Sequence, residues 1–301
     1  YDPALGASLD TAGINEAVLQ VRWEDKLQPG PIGEYVEVVD VDPASQCCYA
    51  PVNLNDPYIL TRSGLTPSEA SPQFHQQMVY AVAMKTIDHF ERALGRVALW
   101  APREIRYTVK EVKKDKSAPG EAPKEVMVEK KENRYVDRLR IYPHALRAKN
   151  AYYSPDRKAL LLGYFTSTDS GGEGLMEGSV VFTAVSHDII AHETTHALLD
   201  GAHRRFREAT NLDVFAFHEA FADIVALFQH FTLPEALSHQ IAATRGDLEK
   251  QNLLGQLAVQ FGKATGRYTA LRDYIGSVQV KSGANEKETK WERRRPKQTD
   301  Y

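Results

Sequence analysis

Apolar and polar residues alternate from 35 to 41, a two-residue period that predicts a strand with one buried face, closed by Asp42-Pro43. After turn chemistry at 53–57 the period changes. Between 74 and 94, apolar Met78, Val82, Ile87, Phe90 and Leu94 recur at helical spacing and predict a long helix, with Ser71 as cap, Pro72 at its first position and Gly95 at its end. His75 and His89 lie on it with nothing at ligand spacing beside them, so both are read as core or surface residues. Lys and Glu dominate 103–137, where 105–112 and 125–129 read as two arms of a solvated hairpin. Residues 138–142 then read as a strand, 150–155 as an exposed edge strand and 159–165 as a returning strand, with the turn at 154–158.

Residues 167–178, rich in Gly, Asp and Glu, are a loop; no Lys-Ser or Lys-Thr follows to make it a phosphate cradle. A helix is predicted over 187–200, with Ser186 as N-cap, Asp188 in its first turn and Asp200-Gly201 at its end. A second apolar helix spans 214–231 and breaks at Leu233-Pro234; mainly helical sequence follows to about 275, then a charged tail over 281–301, extended or poorly ordered. Strands followed by helices give an α+β class.

Composition leaves this picture in place. The 301 residues, 43% hydrophobic and 26% charged, are enough for a sizeable core in one large domain or two lobes. A net charge of -3 gives no reason to expect nucleic acid. No apolar run approaches the ~18 residues of a membrane span. The two cysteines, Cys47 and Cys48, are adjacent and poorly placed to bridge, so neither a disulfide framework nor a Cys-based zinc site is expected. That favours a soluble, cytoplasmic protein over a secreted one. Because the sequence opens at Tyr1 rather than Met, it carries no information on a leader or pro-segment.

Chemistry enters at His192-Glu193-Thr194-Thr195-His196. On a helix, positions four apart share a face, so both imidazoles can reach one ion while Glu193 stays close enough to serve a water. The flanks Ile189, Ile190, Ala191, Ala197, Leu198 and Leu199 are apolar, as a helix on the floor of a cleft requires. A catalytic zinc needs a third protein ligand and one open position. The next helix offers Glu219 and Asp223, again four apart in an apolar run, where carboxylates are costly unless bound to a cation or paired. Glu219 as ligand, and Asp223 as acceptor for a ligand histidine's second N–H, resolve both; His218 is the alternative ligand.

His192 to His196 followed by Glu219-x-x-x-Asp223 resembles the gluzincin pattern, and specifically that of thermolysin-like zinc metallopeptidases. Asn150-Ala151-Tyr152-Tyr153 is similar to that family's substrate-holding edge strand, Asp188 and Asp200 match around the histidines, and the helix from 74 resembles the one crossing the family's N-terminal lobe. The resemblance covers about 70–230. It implies a two-lobed fold, with a β-rich lobe at 1–185 and an α-helical lobe with the zinc helices and charged tail at 186–301. It also implies Zn²⁺ on His192, His196 and Glu219, catalysis by Glu193, support from Asp223 and His218, and a peptide or protein substrate held by Asn150, Ala151 and Tyr152.

The chain departs from the pattern in several places. The gap from His196 to Glu219 is long and contains no tyrosine, His218 replaces an Asn, and no histidine follows His239. Oxyanion support then falls to an arginine, with Arg204, Arg205 and Arg207 the candidates, or to an additional chain or segment completing the cleft. His230 stands where the resemblance expects a calcium-binding acid, so calcium at Asp188 is not expected. Val180, Thr183 and Ile189 are expected to line a pocket for an apolar side chain. The expected activity is a zinc-dependent endopeptidase using a Glu-activated, zinc-bound water. Two rivals remain: a zinc-containing, catalytically impaired peptide-binding protein, and an aminopeptidase-type gluzincin, to whose Gly-x-Met-Glu-Asn signature Gly174-Leu175-Met176-Glu177-Gly178 is faintly similar.

Overall fold

The computed structural model describes residues 17–113, 124–167, 178–203, 205–206, 208, 210–247, 249–250, 252–265, 270–274, 276–282 and 287–293. The first strand is shorter than its alternation predicts, because Asp40 turns inward. Strand β1 covers Val36–Val38 and β2 covers Val41–Asp42, paired antiparallel with β3 (Cys47–Cys48). Between β1 and β2 the buried Asp40 carboxylate accepts from His144 Nδ1 (2.6 Å) and Gln76 Nε2 (2.8 Å). A short helix α1 (Pro57–Thr61) precedes α2 (Pro72–Leu94), whose ends follow the sequence signals. Ser71 Oγ accepts the Phe74 N–H at 3.2 Å, and Gly95 closes the helix at φ 65°.

Strands β4 (Arg103–Lys113) and β5 (Lys124–Arg134) form the expected exposed ribbon, antiparallel and held by pairs such as Lys130–Glu111 at 2.6 Å. The central sheet is mixed. It contains β6 (Leu139–Leu146), β7 (Ala151–Ser154) and β8 (Ala159–Thr166) in the order β1-β6-β8-β7, with β9 (Val180–Phe182) also on β8. β1, β6 and β8 run parallel, whereas β7 and β9 are antiparallel to β8. Strand β8 is buried on both faces, which accounts for its unbroken apolar sequence. β7 is the edge.

Helix α3 (His187–Ala202) packs between α2 and α4 (Leu212–His230). Then come α5 (Pro234–Thr244), β10 (Gln256–Leu257), α6 (Val259–Ala264), β11 (Arg272–Asp273), β12 (Gly276–Ser282) and β13 (Lys287–Arg293). Here the sequence reading needs correction. Instead of mainly helix to about 275, β10 pairs with β11; and the tail, expected to be extended or poorly ordered, contributes to a ribbon in which β12 pairs with β13 over Gly276↔Arg293 to Ser282↔Lys287. Val278 and Val280 alternate with polar neighbours, a strand period that the surrounding charge obscures. One hydrophobic core joins residues from both sides of the expected 185/186 boundary, including Val36, Val82, Leu160, Ile190, Leu198 and Ala226. Burying each large aliphatic side chain contributes roughly 1.5–3 kcal/mol.

Candidate metal centre

Helix α3 is built to be buried. Ile190, Ala191, Ala197 and Leu198 fill the core, and Thr194 and Thr195, both fully buried, return their hydroxyls to Ile190 O (2.7 Å) and Ala191 O (2.8 Å). Those bonds leave only methyl groups to pack. Ser186 stands at the N-cap position, but its side chain makes no capping bond; its carbonyl accepts the Ile190 N–H at 3.2 Å. The helix runs past Asp200-Gly201 to Ala202. A Cβ at Gly201 would lie 1.9 Å from Leu99 O, so this glycine serves a close backbone crossing rather than a helix stop.

The three expected ligands converge. His192 Nε2 and His196 Nε2 are 3.0 Å apart, and Glu219 presents Oε2 to His192 and Oε1 to His196, each at 3.4 Å. Metal–ligand bonds of ~2.0–2.1 Å in a tetrahedron set ligand atoms about 3.3 Å apart, so the donors stand where a zinc needs them. Two ring nitrogens and a carboxylate are also a suitable zinc donor set. Asp223 Oδ1 accepts from His192 Nδ1 at 2.8 Å, which directs the lone pair of Nε2 toward the centre. Burial acts to lower the His192 pKa, but its bonds to Asp223 and Glu219 and the charge of Glu193 outweigh that and lift it to about 9. Hydrogen bonds from His192 and His196 hold the Glu219 carboxyl far below the usual range.

Glu193 lies beside the ligands, buried in the cleft floor. Its Oε2 accepts the backbone N–H of Tyr153, in edge strand β7, at 2.8 Å. Burial pushes the Glu193 carboxyl up, with His192 and His196 pulling the other way. The Tyr153 hydroxyl donates to Asp200 at 2.7 Å, and Asp200 also pairs with the buried Lys158 at 2.7 Å. Asn150, Ala151 and Tyr152 line the same cleft, and Asn150 Oδ1 accepts its neighbour Ala151's N–H at 3.0 Å.

Asp223 serves more than His192: Arg272 and Tyr274 both donate to it, and Arg272 Nη2 lies 3.5 Å from Glu219 Oε2. Burial raises the Asp223 pKa, but bonds from His192 and Tyr274 prevail and hold it low. Sequence reasoning missed both donors, since nothing local marks an arginine and a tyrosine some fifty positions after their partner. The expected arginines are placed differently. Arg205 is exposed and away from the cleft wall, and Arg204 and Arg207 lie outside the described residues. His218 stacks on the His196 ring (centroids 5.7 Å) and meets Phe206 O at 2.7 Å, so it packs beside the ligand. Residues 174–177, which carry the aminopeptidase-like segment, also lie outside the described residues.

Among the described residues a second group, His187, Asp188 and His230, has three potential ligands in reach. Here Asp188 Oδ1 and His230 Nε2 are only 2.6 Å apart, and Asp188 Oδ2 accepts the Ala258 N–H at 2.8 Å. That is direct hydrogen bonding, tighter than a metal between the two groups allows, and calcium takes oxygen donors rather than imidazoles. Burial opposes ionisation of Asp188, yet His230 and His187 hold its carboxyl low. The couple ties α3 and α4 to the cleft wall at Ala258.

The cleft has a volume of about 600 Å³ and apolar walls from Val214, Phe215, Leu257, Phe261 and Leu271. Of the three residues expected to line a pocket, Ile189 does; Val180 is exposed, and Thr183 is buried with its hydroxyl on Gly163. No helix of the described residues is long and apolar enough to cross a membrane. Compared with known proteins, the chain matches no protein-family model, no curated protein and no solved structure.

Proposed function

We propose that this protein is a zinc-dependent endopeptidase of thermolysin-like gluzincin type, its β-rich half to 185 and its half from 186 facing each other across the cleft. The observation that carries the reading is the convergence of His192, His196 and Glu219 at 3.0–3.4 Å, beside a buried Glu193 and the terminal strand β7 of the sheet. A zinc ion on those three residues supplies Lewis acidity toward a water and the scissile carbonyl. Edge strand β7 binds an extended peptide by main-chain hydrogen bonds, with Asn150 at its start. Glu193 takes a proton from the attacking water at its carboxylate and passes it to the leaving amine. Asp223 keeps His192 in the tautomer that binds through Nε2. Arg272 brings a cation to the cleft wall beside Glu219, where it serves the oxyanion support expected of an arginine. The free thiols of Cys47 and Cys48 support a reducing compartment.

Glu193→Gln should keep one zinc per chain by elemental analysis while cleavage of a broad peptide library falls by roughly a thousandfold or more. Equal turnover in both forms sinks the mechanism. A rival reading, peptide binding without turnover, is favoured by one feature: the cleft's Arg272 is already engaged by Asp223 and Glu219. Zinc-loaded protein that binds library peptides but cleaves none selects the rival.

A further inference from the structure

The outward face of α4 carries an apolar stripe. Phe217, Phe221, Ile224, Phe228 and Phe231 follow one another at steps of four, three, four and three, the spacing of a helix–helix seam. Phe217 is 56%, Ile224 47%, Phe228 64% and Phe231 40% exposed. The inward face belongs to His218, Ala222, Asp223, Ala226 and Gln229, all buried, with Glu219 at its margin toward the cleft and away from the stripe. The helix has no Lys or Arg, and the one charge on the stripe's face is Asp213 in the first turn, at its end.

The stripe also continues beyond its helix. Phe221 meets Phe90 of α2 (ring centroids 6.3 Å), and Phe90 shares a shallow groove with the exposed Leu94, Val97 and Leu99. At ~200 Å² for a large apolar side chain, the tract exposes on the order of 700 Å². That exceeds the few hundred Å² a monomer usually leaves bare and approaches the ~800 Å² each partner contributes to a stable complex.

The order of the stripe identifies the occupant. Reversed about Ile224 it keeps its order of residue types: Phe217 and Phe231 exchange, seven residues either side, and Phe221 (three before) meets Phe228 (four after) one residue, about 1.5 Å, out of register. A two-fold axis at Ile224 therefore sets isoleucine on isoleucine, Phe217 opposite Phe231, and Phe221 beside Phe228 in an antiparallel helix pair, a self-complementary contact. We propose that the surface takes a second copy of this chain, giving a dimer docked through α4. The inference is independent of the metal reading.

Sedimentation equilibrium of the full chain at micromolar concentrations tests it, beside Ile224→Lys and Phe228→Lys. The wild type should be a dimer. Each substitution enters twice across the axis and should raise the dissociation constant at least ~100-fold, with far-UV circular dichroism unchanged. As a second arm, Ile224→Cys with Cys47→Ser and Cys48→Ser should give a covalent dimer with a short bis-maleimide, and exposed Lys250→Cys in the same background should not. A monomeric wild type, a dimer that survives both lysines, or equal cross-linking at 224 and 250 overturns the proposal. If the lysine variants do not fold, the cross-linking arm decides.

Discussion

Asp223 is asked to accept from three donors, His192, Arg272 and Tyr274, and to do so mostly buried. Asp223→Asn keeps the shape but turns one acceptor oxygen into a donor. It should weaken zinc binding by about 10–100-fold, read by competition with a chromophoric chelator; unchanged affinity would show that the carboxylate does not orient the ligand. The core offers a second residue-scale test. His75 Nδ1 lies 2.9 Å from His144 Nε2, and burial, then the neighbouring His144, lowers its pKa from 6.5 to about 4. Between those values the unfolded chain binds a proton that the folded chain refuses. The contribution is therefore complete above pH 6.5 and lost as pH falls toward 4, by up to ~3 kcal/mol. Urea unfolding at neutral pH and near the lower bound should show this loss, and His75→Gln should reduce it. The convergence of His192, His196, Glu219 and Asp223 was legible in the sequence because each pair sits on one helix at four-residue spacing. The sequence did not disclose Asp40–His144–His75 or Arg272–Asp223, because those partners meet only through tertiary packing.

Helix ends were legible where the cap chemistry is local. Ser71 and Gly95 bound α2 as their residue types predict, and Ser71→Ala should cost about 1 kcal/mol in chemical denaturation. Gly201 has a different lesson, since a glycine near a helix end can serve either a stop or a crossing. With Leu99 O in the path of any Cβ, Gly201→Ala should destabilise by roughly 1–3 kcal/mol, and a neutral result would mean that the 98–100 segment yields easily. The split of the first strand and the β12–β13 ribbon were hidden for related reasons. One depends on Asp40 finding partners on α2 and β6, the other on a valine alternation diluted by charge.

For the whole molecule, the α+β class followed from element order, but the sheet order β1-β6-β8-β7 did not. Parallel pairing of β1 with β6 spans the β4–β5 ribbon and α2, and no local pattern reports such a pairing. Zinc bound by His192, His196 and Glu219, as proposed, would tie α3 to α4 within the one core, so its occupancy should register as global stability. Zinc at a hundred times its dissociation constant should add about 2.7 kcal/mol. Chelation should accordingly lower the melting temperature of the wild type, and do so far less in His196→Ala.

Tyr153 grips α3 twice, by its amide at Glu193 and by its hydroxyl at Asp200, seven residues and nearly two full turns further on. The strand edge is thereby indexed to the helix like a ruler against a stop. On the proposed function, a peptide added to that edge would inherit the index, so that the bond presented to Glu193 would be selected by counting along the main chain. Side-chain pockets would then decide only which sequences are accepted at that count.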